Sequence, residues 1–255
     1  MIHSTAIISP KAHLGANIKI GAFSIIDEDV VVGDNCVLAQ RVHLLDGARL
    51  GNNNFIGEGT LIANPAQDLK HKGERSFVKI GNNNVIREYV TIHKATGEGI
   101  ATVIGDNNFI MTAAHVGHDC VIGNNVIMVN AVAMSGHVTV DDFAFISGMT
   151  TIHQNVRIGG QSMIGGGSKL SQDVPPYVMV SGEPARCFGL NKVGLKRRGF
   201  TKEKLAQLDS IYKIFFRSRL TLVEALKKIK NELPDSEEKN YFIEFMQNSK
   251  RGTIR

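Results

Sequence analysis

The sequence of 255 residues predicts a mainly β protein, a parallel β-helix followed by a small C-terminal α-helical domain. Three observations carry that expectation. Aliphatic residues recur every six positions from Ile2 to Leu170, turn-forming residues recur every 18, and after Asn191 both periods give way to capped amphipathic segments.

The shorter period runs through Ile2, Ile8, Leu14, Ile20, Ile26, Val32, Leu38, Leu44, Leu50, Ile56 and Ile62. It returns in phase at Ile80, Ile86 and Ile92, then from Ile104 through Ile110, Val116, Ile122, Met128, Met134, Val140, Ile146, Ile152, Ile158 and Ile164 to Leu170. Neither a helix of ~3.6 residues per turn nor the two-residue alternation of a strand yields this, so internal repetition explains it. Gly15, Gly33 and Gly51, then Gly105, Gly123, Asp141 and Gly159, mark one place in successive units of 18 residues. A triangular coil of three sides, each turning one aliphatic residue inward, satisfies both periods, and about ten such coils are expected. The glycines and the Asn or Asp behind them, as in Gly33-Asp34-Asn35 and Gly123-Asn124-Asn125, tolerate positive φ and are expected at tight corners.

The spacing from Gly51 to Gly81 is 30 and from Gly81 to Gly105 is 24. Two loops are therefore expected to leave the prism, around Asn64 to Phe77 and around Lys94 to Gly99, and loops on a rigid scaffold tend to carry function. Pro175-Pro176 is expected to stop the repeat, since proline cannot donate to a sheet ladder. Thr201 can cap a helix with Leu205, Leu208, Tyr212 and Phe215 on one face. Thr221-Leu222-Val223-Glu224 and Asp235-Ser236-Glu237-Glu238 both read as capping boxes of further helices. The expected division is residues 1–189 for the β-helix with its two loops and 190–255 for the helical domain.

Scarce aromatics, no Trp and 26 Gly suit thin, repetitive packing. No targeting segment and no apolar run of the ~18 residues that span a bilayer are present, so the expectation is a soluble, cytoplasmic protein without stable membrane insertion. Cys36, Cys120 and Cys187 are too few and too scattered for a disulfide framework and read as reduced thiols. The net charge of +5 is uneven: residues 190–255 hold 16 Lys/Arg against 8 Asp/Glu, whereas residues 1–189 hold 13 against 16. The basic end is expected to meet an acidic partner. Without interleaved aromatics or a recognisable module, nucleic acid is not that partner.

Histidines gather near one corner of successive coils. His93 lies 12 places beyond Gly81, His118 13 beyond Gly105, His137 14 beyond Gly123 and His153 12 beyond Asp141, with His115 10 beyond Gly105. Coils stack at ~4.8 Å, so these side chains can reach one ligand. His3, His13, His43 and His71 fall outside the column and read as surface residues. A neutral imidazole can take a hydroxyl proton near neutral pH, and an adjacent carboxylate orients it, as His118-Asp119 offers. His115-x-x-His118 is alternatively a metal-ligand spacing, although no third ligand is specified except across coils or subunits.

The motifs Gln67-Asp68-Leu69-Lys70, Val90-Thr91-Ile92-His93, His115-Val116-Gly117-His118-Asp119-Cys120, Ser135-Gly136-His137-Val138, Ile152-His153-Gln154, Gln172-Asp173-Val174-Pro175-Pro176-Tyr177 and Gly194-Leu195-Lys196-Arg197-Arg198-Gly199-Phe200 resemble the UDP-N-acetylglucosamine O-acyltransferases of lipid A biosynthesis. The resemblance covers essentially the whole chain. It implies a left-handed coil, against the usual right-handed crossover, a homotrimer, and an active site between adjacent subunits. The implied reaction moves a 3-hydroxyacyl chain from acyl carrier protein to the 3-hydroxyl of UDP-N-acetylglucosamine, the first step of lipid A biosynthesis, with no cofactor and no metal.

Carried over by motif, His118 is the general base, Asp119 supports it, and the Gly136 N–H stabilises the oxyanion. Asp68, Lys70, His93, His115, His137, His153 and Gln154 match the nucleotide-sugar site. Asn191, Arg197 and Arg198 match its diphosphate end, where guanidinium forks suit phosphate. Gly166 matches the position that limits acyl-chain depth. Val193 replaces a frequent acidic residue, Ala63-Asn64-Pro65 a Gly-Glu pair, and Asn155 an aromatic. An acyl-CoA-dependent hexapeptide acetyltransferase, whose ending Ser181-Gly182-Glu183-Pro184-Ala185-Arg186 resembles, and N-acylation of a 3-amino UDP-sugar analogue are the competing readings.

Overall fold

The computed structural model describes residues 1–255. Strands of mostly two residues follow at six-residue steps, Ile7–Ile8, His13–Leu14, Lys19–Ile20 and onward, and each pairs in parallel with the strand one coil later. Three parallel sheets of nine, eight and ten strands result, one for each side of the prism; only the last pairing of the third is antiparallel. Ile8 pairs with Ile26 and Ile26 with Leu44, so equivalent residues of successive coils stand in columns. The aliphatic residues of the six-residue series from Ile20 to Leu170 fill the interior at 4% exposure or less. Ile2 is 52% exposed at the open first coil.

Each side also buries a second, smaller residue two places earlier, among them Val30, Cys36, Val42, Ala48, Thr60, Ala114 and Val132. The expectation of one inward residue per side was too few, because these positions mix apolar with polar types and hydropathy hides them. All the polar ones but Ser162 are paired, as buried polar groups generally are. Asn54 Nδ2 donates to Gly51 O (3.0 Å) and Gly81 O (2.8 Å), while its Oδ1 accepts from Asn84 N (2.9 Å).

The corners correct the reading of the glycines. Positive φ falls on the residue two places later, at Asn35 (58°), Asn53 (57°), Asn107 (59°) and Asn125 (56°). The glycines serve close approach instead. A Cβ on Gly33 would lie 2.4 Å from Asn52 Oδ1, and one on Gly105 2.5 Å from Asn124 Oδ1. Each oxygen accepts the N–H of the residue after the glycine, Asp34 N to Asn52 Oδ1 at 2.7 Å and Asp106 N to Asn124 Oδ1 at 2.8 Å. A ladder of such bonds climbs this edge.

Two loops leave the prism as the spacing predicts, between strands Leu61–Asn64 and Phe77–Ile80 and between Thr91–His93 and Ala101–Ile104. They brace each other through Arg75 N to Glu98 Oε2 (2.9 Å), Gly99 N to Arg75 O (2.8 Å) and Ser76 Oγ to Ala95 O (2.6 Å). Pro175-Pro176 ends the six-residue period but not the third sheet. Val178–Gly182 still pairs in parallel with Met163–Ile164, then turns back as antiparallel Ala185–Leu190.

Helix α1 (Lys192–Arg197) was not anticipated, being too short to show a period. Helix α2 (Lys202–Tyr212) starts at Thr201 as expected and runs into a π-helical turn, Lys213–Arg217. Helix α3 (Leu222–Glu232) has the capping box of Thr221 and Glu224. Helix α4 (Glu237–Gln247) is capped by Ser236 alone, which accepts from Lys239 N; the expected second box does not form, because Ser236 rather than Asp235 is the cap and Lys239 then falls at the third helical position, while the Glu238 carboxylate pairs with Lys204 of α2. Their apolar faces enclose a separate core around Leu208, Phe215, Ile229, Phe242 and Phe245. The tail then returns to the last coil: Asp173 N donates to Gly252 O and Ile254 N to Asp173 O, both at 2.9 Å, and Ile254 joins the β-helix core. No helix is long and apolar enough to cross a membrane. The three cysteines are unpaired, and burial pushes the Cys120 thiol up to about 12.

Replacing Gly105 by Ala should cost about 1–3 kcal/mol, the usual range for overpacking, and lower Tm. Gly189→Ala, whose methyl would meet only Met179 Cε at 3.9 Å, should leave Tm nearly unchanged. Equal melting of the two variants would refute the close-approach role.

Candidate active site

The edge where the chain passes from the first sheet to the second carries the histidines. Thr91, His115, Ala133 and Thr151 pair in succession across that sheet. Counting forward in that register stacks His118, Gly136 and Gln154 in one column and Asp119, His137 and Asn155 in the next. Asp119 (φ 59°) and His137 (φ 60°) are corner residues in the left-handed region, which short polar side chains tolerate.

His118 Nδ1 donates to Asp119 Oδ2 at 2.7 Å, leaving Nε2 without a partner. The side chains of both are about 10% exposed. The carboxylate also accepts from Thr96 N (3.2 Å to each oxygen) and Thr96 Oγ1 (3.0 Å), and His137 Nε2 stands 3.7 Å away. Burial alone would raise the Asp119 carboxyl, but the His118 and Thr96 donors, with His137 nearby, outweigh it and hold it below the usual range. The His118 imidazole occupies the space beside Gly136, where a Cβ would lie 2.4 Å from Nε2. Glycine is therefore required there by the ring itself, and its N–H has no acceptor within the chain.

His93 donates from Nδ1 to Pro65 O at 2.7 Å, and its ring meets that of His115 edge-on at 5.1 Å. Burial pushes both imidazoles below their ordinary value; the neighbouring His118 lowers both, and His93 further lowers His115. His115 Nδ1 is 2.8 Å from Thr91 Oγ1. A cleft of about 230 Å³ is lined by Gln67, His115, His118, Ser135, Gly136 and Gln154, with Gly117, Ala133 and Met134. Gln67, Thr91, Thr96 and Ser135 were not singled out by the sequence as site residues: they come from loops and strand partners, where nothing periodic marks them.

The remaining predicted residues lie elsewhere in the chain. His153 is exposed on the same edge, donating from Nδ1 to Gln154 O at 3.2 Å. Asp68 and Lys70 sit on the first loop, Asp68 Oδ1 accepting Lys70 N at 2.8 Å. Asn191 and Arg198 meet Gln161 at the second edge, and Arg197 is the last residue of α1 between them. Asn191 Nδ2 donates to Gln161 O (2.9 Å), its Oδ1 caps Gly194 N (3.1 Å), and Arg198 Nη1 donates to Gln161 Oε1 (2.7 Å). A larger cavity of about 400 Å³ lies along this edge, lined among others by Asp141, Phe143, Gln161 and Tyr241, but holds none of the histidine column. Gly166 occupies the third edge, where a Cβ would meet nothing nearer than Gly148 O at 3.4 Å. The ligating atoms close enough to share an ion, within 4.8 Å, are those of His118, Asp119 and His137 rather than the His115/His118 pair.

The second domain of UDP-N-acetylglucosamine O-acyltransferases matches residues 173–254, and the bacterial hexapeptide-transferase repeat matches 29–64 and 101–132. An acyl-[acyl-carrier-protein]–UDP-N-acetylglucosamine O-acyltransferase of Thermodesulfovibrio yellowstonii is 51% identical over 255 residues, 100% of this chain and 99% of that one. The chain belongs to the UDP-N-acetylglucosamine O-acyltransferase family. The family's solved structures agree with this fold throughout. A UDP-N-acetylglucosamine acyltransferase from Bacteroides fragilis superposes with a TM-score of 0.98 at 43% identity, covering 100% of both chains. One from Francisella novicida gives 0.96 at 38%, covering 100% of this chain and 94% of that one. Membership also supplies the hand that periodicity leaves open: the coils of this acyltransferase wind left-handed.

The depressed imidazoles make stability depend on pH. Below the ordinary value of 6.5 the unfolded chain takes up protons that folded His93 and His115 refuse, so stability is full above it and is lost as pH falls. Tm should drop between about pH 7.5 and about pH 5.5, and His93→Gln, which keeps a donor for Pro65 O, should flatten that drop. An unaltered slope in calorimetry would remove His93 from the account.

Proposed function

We infer that the protein transfers a 3-hydroxyacyl chain from acyl carrier protein to the 3-hydroxyl of UDP-N-acetylglucosamine, the first step of lipid A biosynthesis, in the cytoplasm. The observation that carries this reading is the His118–Asp119 pair at 2.7 Å, with its free Nε2 beside the unpartnered N–H of Gly136 in a polar cleft. Nε2 removes the hydroxyl proton as the sugar oxygen attacks the thioester carbonyl. Asp119 fixes the tautomer and stabilises the imidazolium, and the Gly136 N–H receives the oxyanion of the tetrahedral intermediate. Collapse breaks the C–S bond, and the departing carrier thiolate takes the proton back from His118. No cofactor or metal enters this sequence.

Asp68, Lys70, His93, His115, His137, His153 and Gln154 line the nucleotide-sugar path, with His93 and His115 serving as neutral hydrogen-bonding groups. Arg197 and Arg198 hold the diphosphate. Asn191 spends its amide within the chain, so its share is to place α1 and these two arginines. The histidine edge and the Arg198 edge are different edges of one prism, which supports a site completed by a neighbouring subunit in a homotrimer. Gly166, open on the third edge, sets the depth of the acyl groove. Residues 1–189 carry the reaction, and the basic domain of 190–255 receives the acidic carrier.

A transfer assay with UDP-N-acetylglucosamine and hydroxyacyl carrier proteins of several lengths tests the reading. His118→Ala should lower turnover ~10²-fold or more without dispersing the oligomer; near-normal turnover would sink the base assignment. The KM for the carrier-linked donor should rise with ionic strength as charge attraction is screened. An equally good acyl-CoA donor would overturn the carrier reading. Gly166→Met should shift preference to shorter chains, and an unchanged profile would place the end of the groove elsewhere.

A further inference from the structure

The 94–100 loop crosses the histidine edge, and its Thr96 makes three hydrogen-bond contacts with the Asp119 carboxylate, against the single shorter one from His118. The Thr96 N–H reaches both carboxylate oxygens at 3.2 Å, and its hydroxyl donates to Oδ2, the oxygen that also accepts from His118, at 3.0 Å. We propose that Thr96 is a positioning residue for acyl transfer, holding the Asp119 carboxylate in the orientation that keeps the His118 proton on Nδ1 and its Nε2 free. This rests on the assignment of His118 and Asp119 as the reacting pair.

The surroundings show why a separate clamp is needed. Asp119 is a corner residue with φ of 59°, so its backbone direction is set by the coil, and its own N–H is taken by Thr102 Oγ1 at 2.9 Å. The side chain must still choose between two imidazoles, with His118 Nδ1 at 2.7 Å and His137 Nε2 at 3.7 Å from the same oxygen. The Thr96 donors, which engage both carboxylate oxygens, restrict its rotation and favour the His118 partner. The loop that brings them is itself anchored on both flanks of Thr96: before it Lys94 N donates to Asn64 O (2.8 Å) and the Ala95 carbonyl accepts from Ser76 Oγ (2.6 Å), and after it Gly99 N donates to Arg75 O (2.8 Å). The additional residues between Gly81 and Gly105 thus deliver a clamp to a carboxylate that the repeat alone leaves with one strong partner.

The test is a double-mutant cycle on the acyl transfer reaction of the full-length enzyme. Thr96→Val keeps the shape and the backbone N–H but removes the hydroxyl, and kcat should fall about tenfold, the scale of a lost hydrogen bond to a charged group, with the KM for UDP-N-acetylglucosamine within about twofold. Thr96→Ser, which retains the donor, should recover most of the loss. In an Asp119→Ala background Thr96→Val should change kcat by less than about twofold, because the group it acts through is gone. An equal loss in both backgrounds, a Ser variant as impaired as Val, or a rise in KM at unchanged kcat would each overturn the proposal. Wild-type turnover in Asp119→Ala alone would instead remove the reading beneath it.

Discussion

Each coil hydrogen-bonds to the next through parallel pairs of only two or so residues per side, and this short, repeated register is the constraint on which everything else depends. A slip by one residue would turn every aliphatic column outward and expose the core. Two-residue strands resist such a slip weakly by themselves. The side-chain ladder on the second edge adds a lock, since Asn52, Asn82, Asp106, Asn124 and Asp142 each place an oxygen on an N–H of the preceding coil. Glycine at the facing position leaves room for that oxygen, so each glycine is tied to an Asx one coil away.

The same register builds the site cheaply in conformational terms, because residues at one place in successive repeats meet without any special folding of the chain. Histidines at adjacent places in neighbouring coils also meet, His93 with His115 and His118 with His137. Regularity also limits what an edge can do: each corner side chain meets only its neighbours above and below. The two loops overcome that limit by bringing Pro65 to His93 and Thr96 to Asp119 from outside the prism. They brace each other through Arg75, Ser76, Ala95, Glu98 and Gly99, which fixes where those donors and acceptors stand.

Much of this was legible in the sequence, and the failures have physical causes. The prism, its 18-residue step and the two loops follow from spacing because hydrophobic burial imposes a strict period. The role of Gly33 and Gly105 was misread, since a glycine before Asp-Asn looks like a turn residue whether it supplies positive φ or clearance. The second inward residue was hidden because Ser24, Asn54 and Thr60 satisfy the same buried position as Val30 and Val42. The histidine column was visible in the offsets alone. The reason for Gly136, an imidazole lying where its Cβ would be, needed coordinates, as did the loop contacts. Counting in units of 18 would also have set Gln161 and Gly166 on separate edges from His118.

The two ends of the prism differ. At the C-terminal end the hairpin of Val178–Gly182 and Ala185–Leu190 extends the third sheet, and the Thr253 bridge to Asp173 covers the second. At the other end the first coil offers unpaired backbone at Ile7–Ile8 and His13–Leu14, with Ile2 exposed beside them. A β-helix has no lateral sheet edges, so end-to-end growth is the one route by which such a molecule could polymerise through its backbone. Blocking one terminus is enough to stop it, because a filament needs a donor face and an acceptor face on every copy. The returning tail therefore protects the open first coil as well as the last, although it touches only one of them.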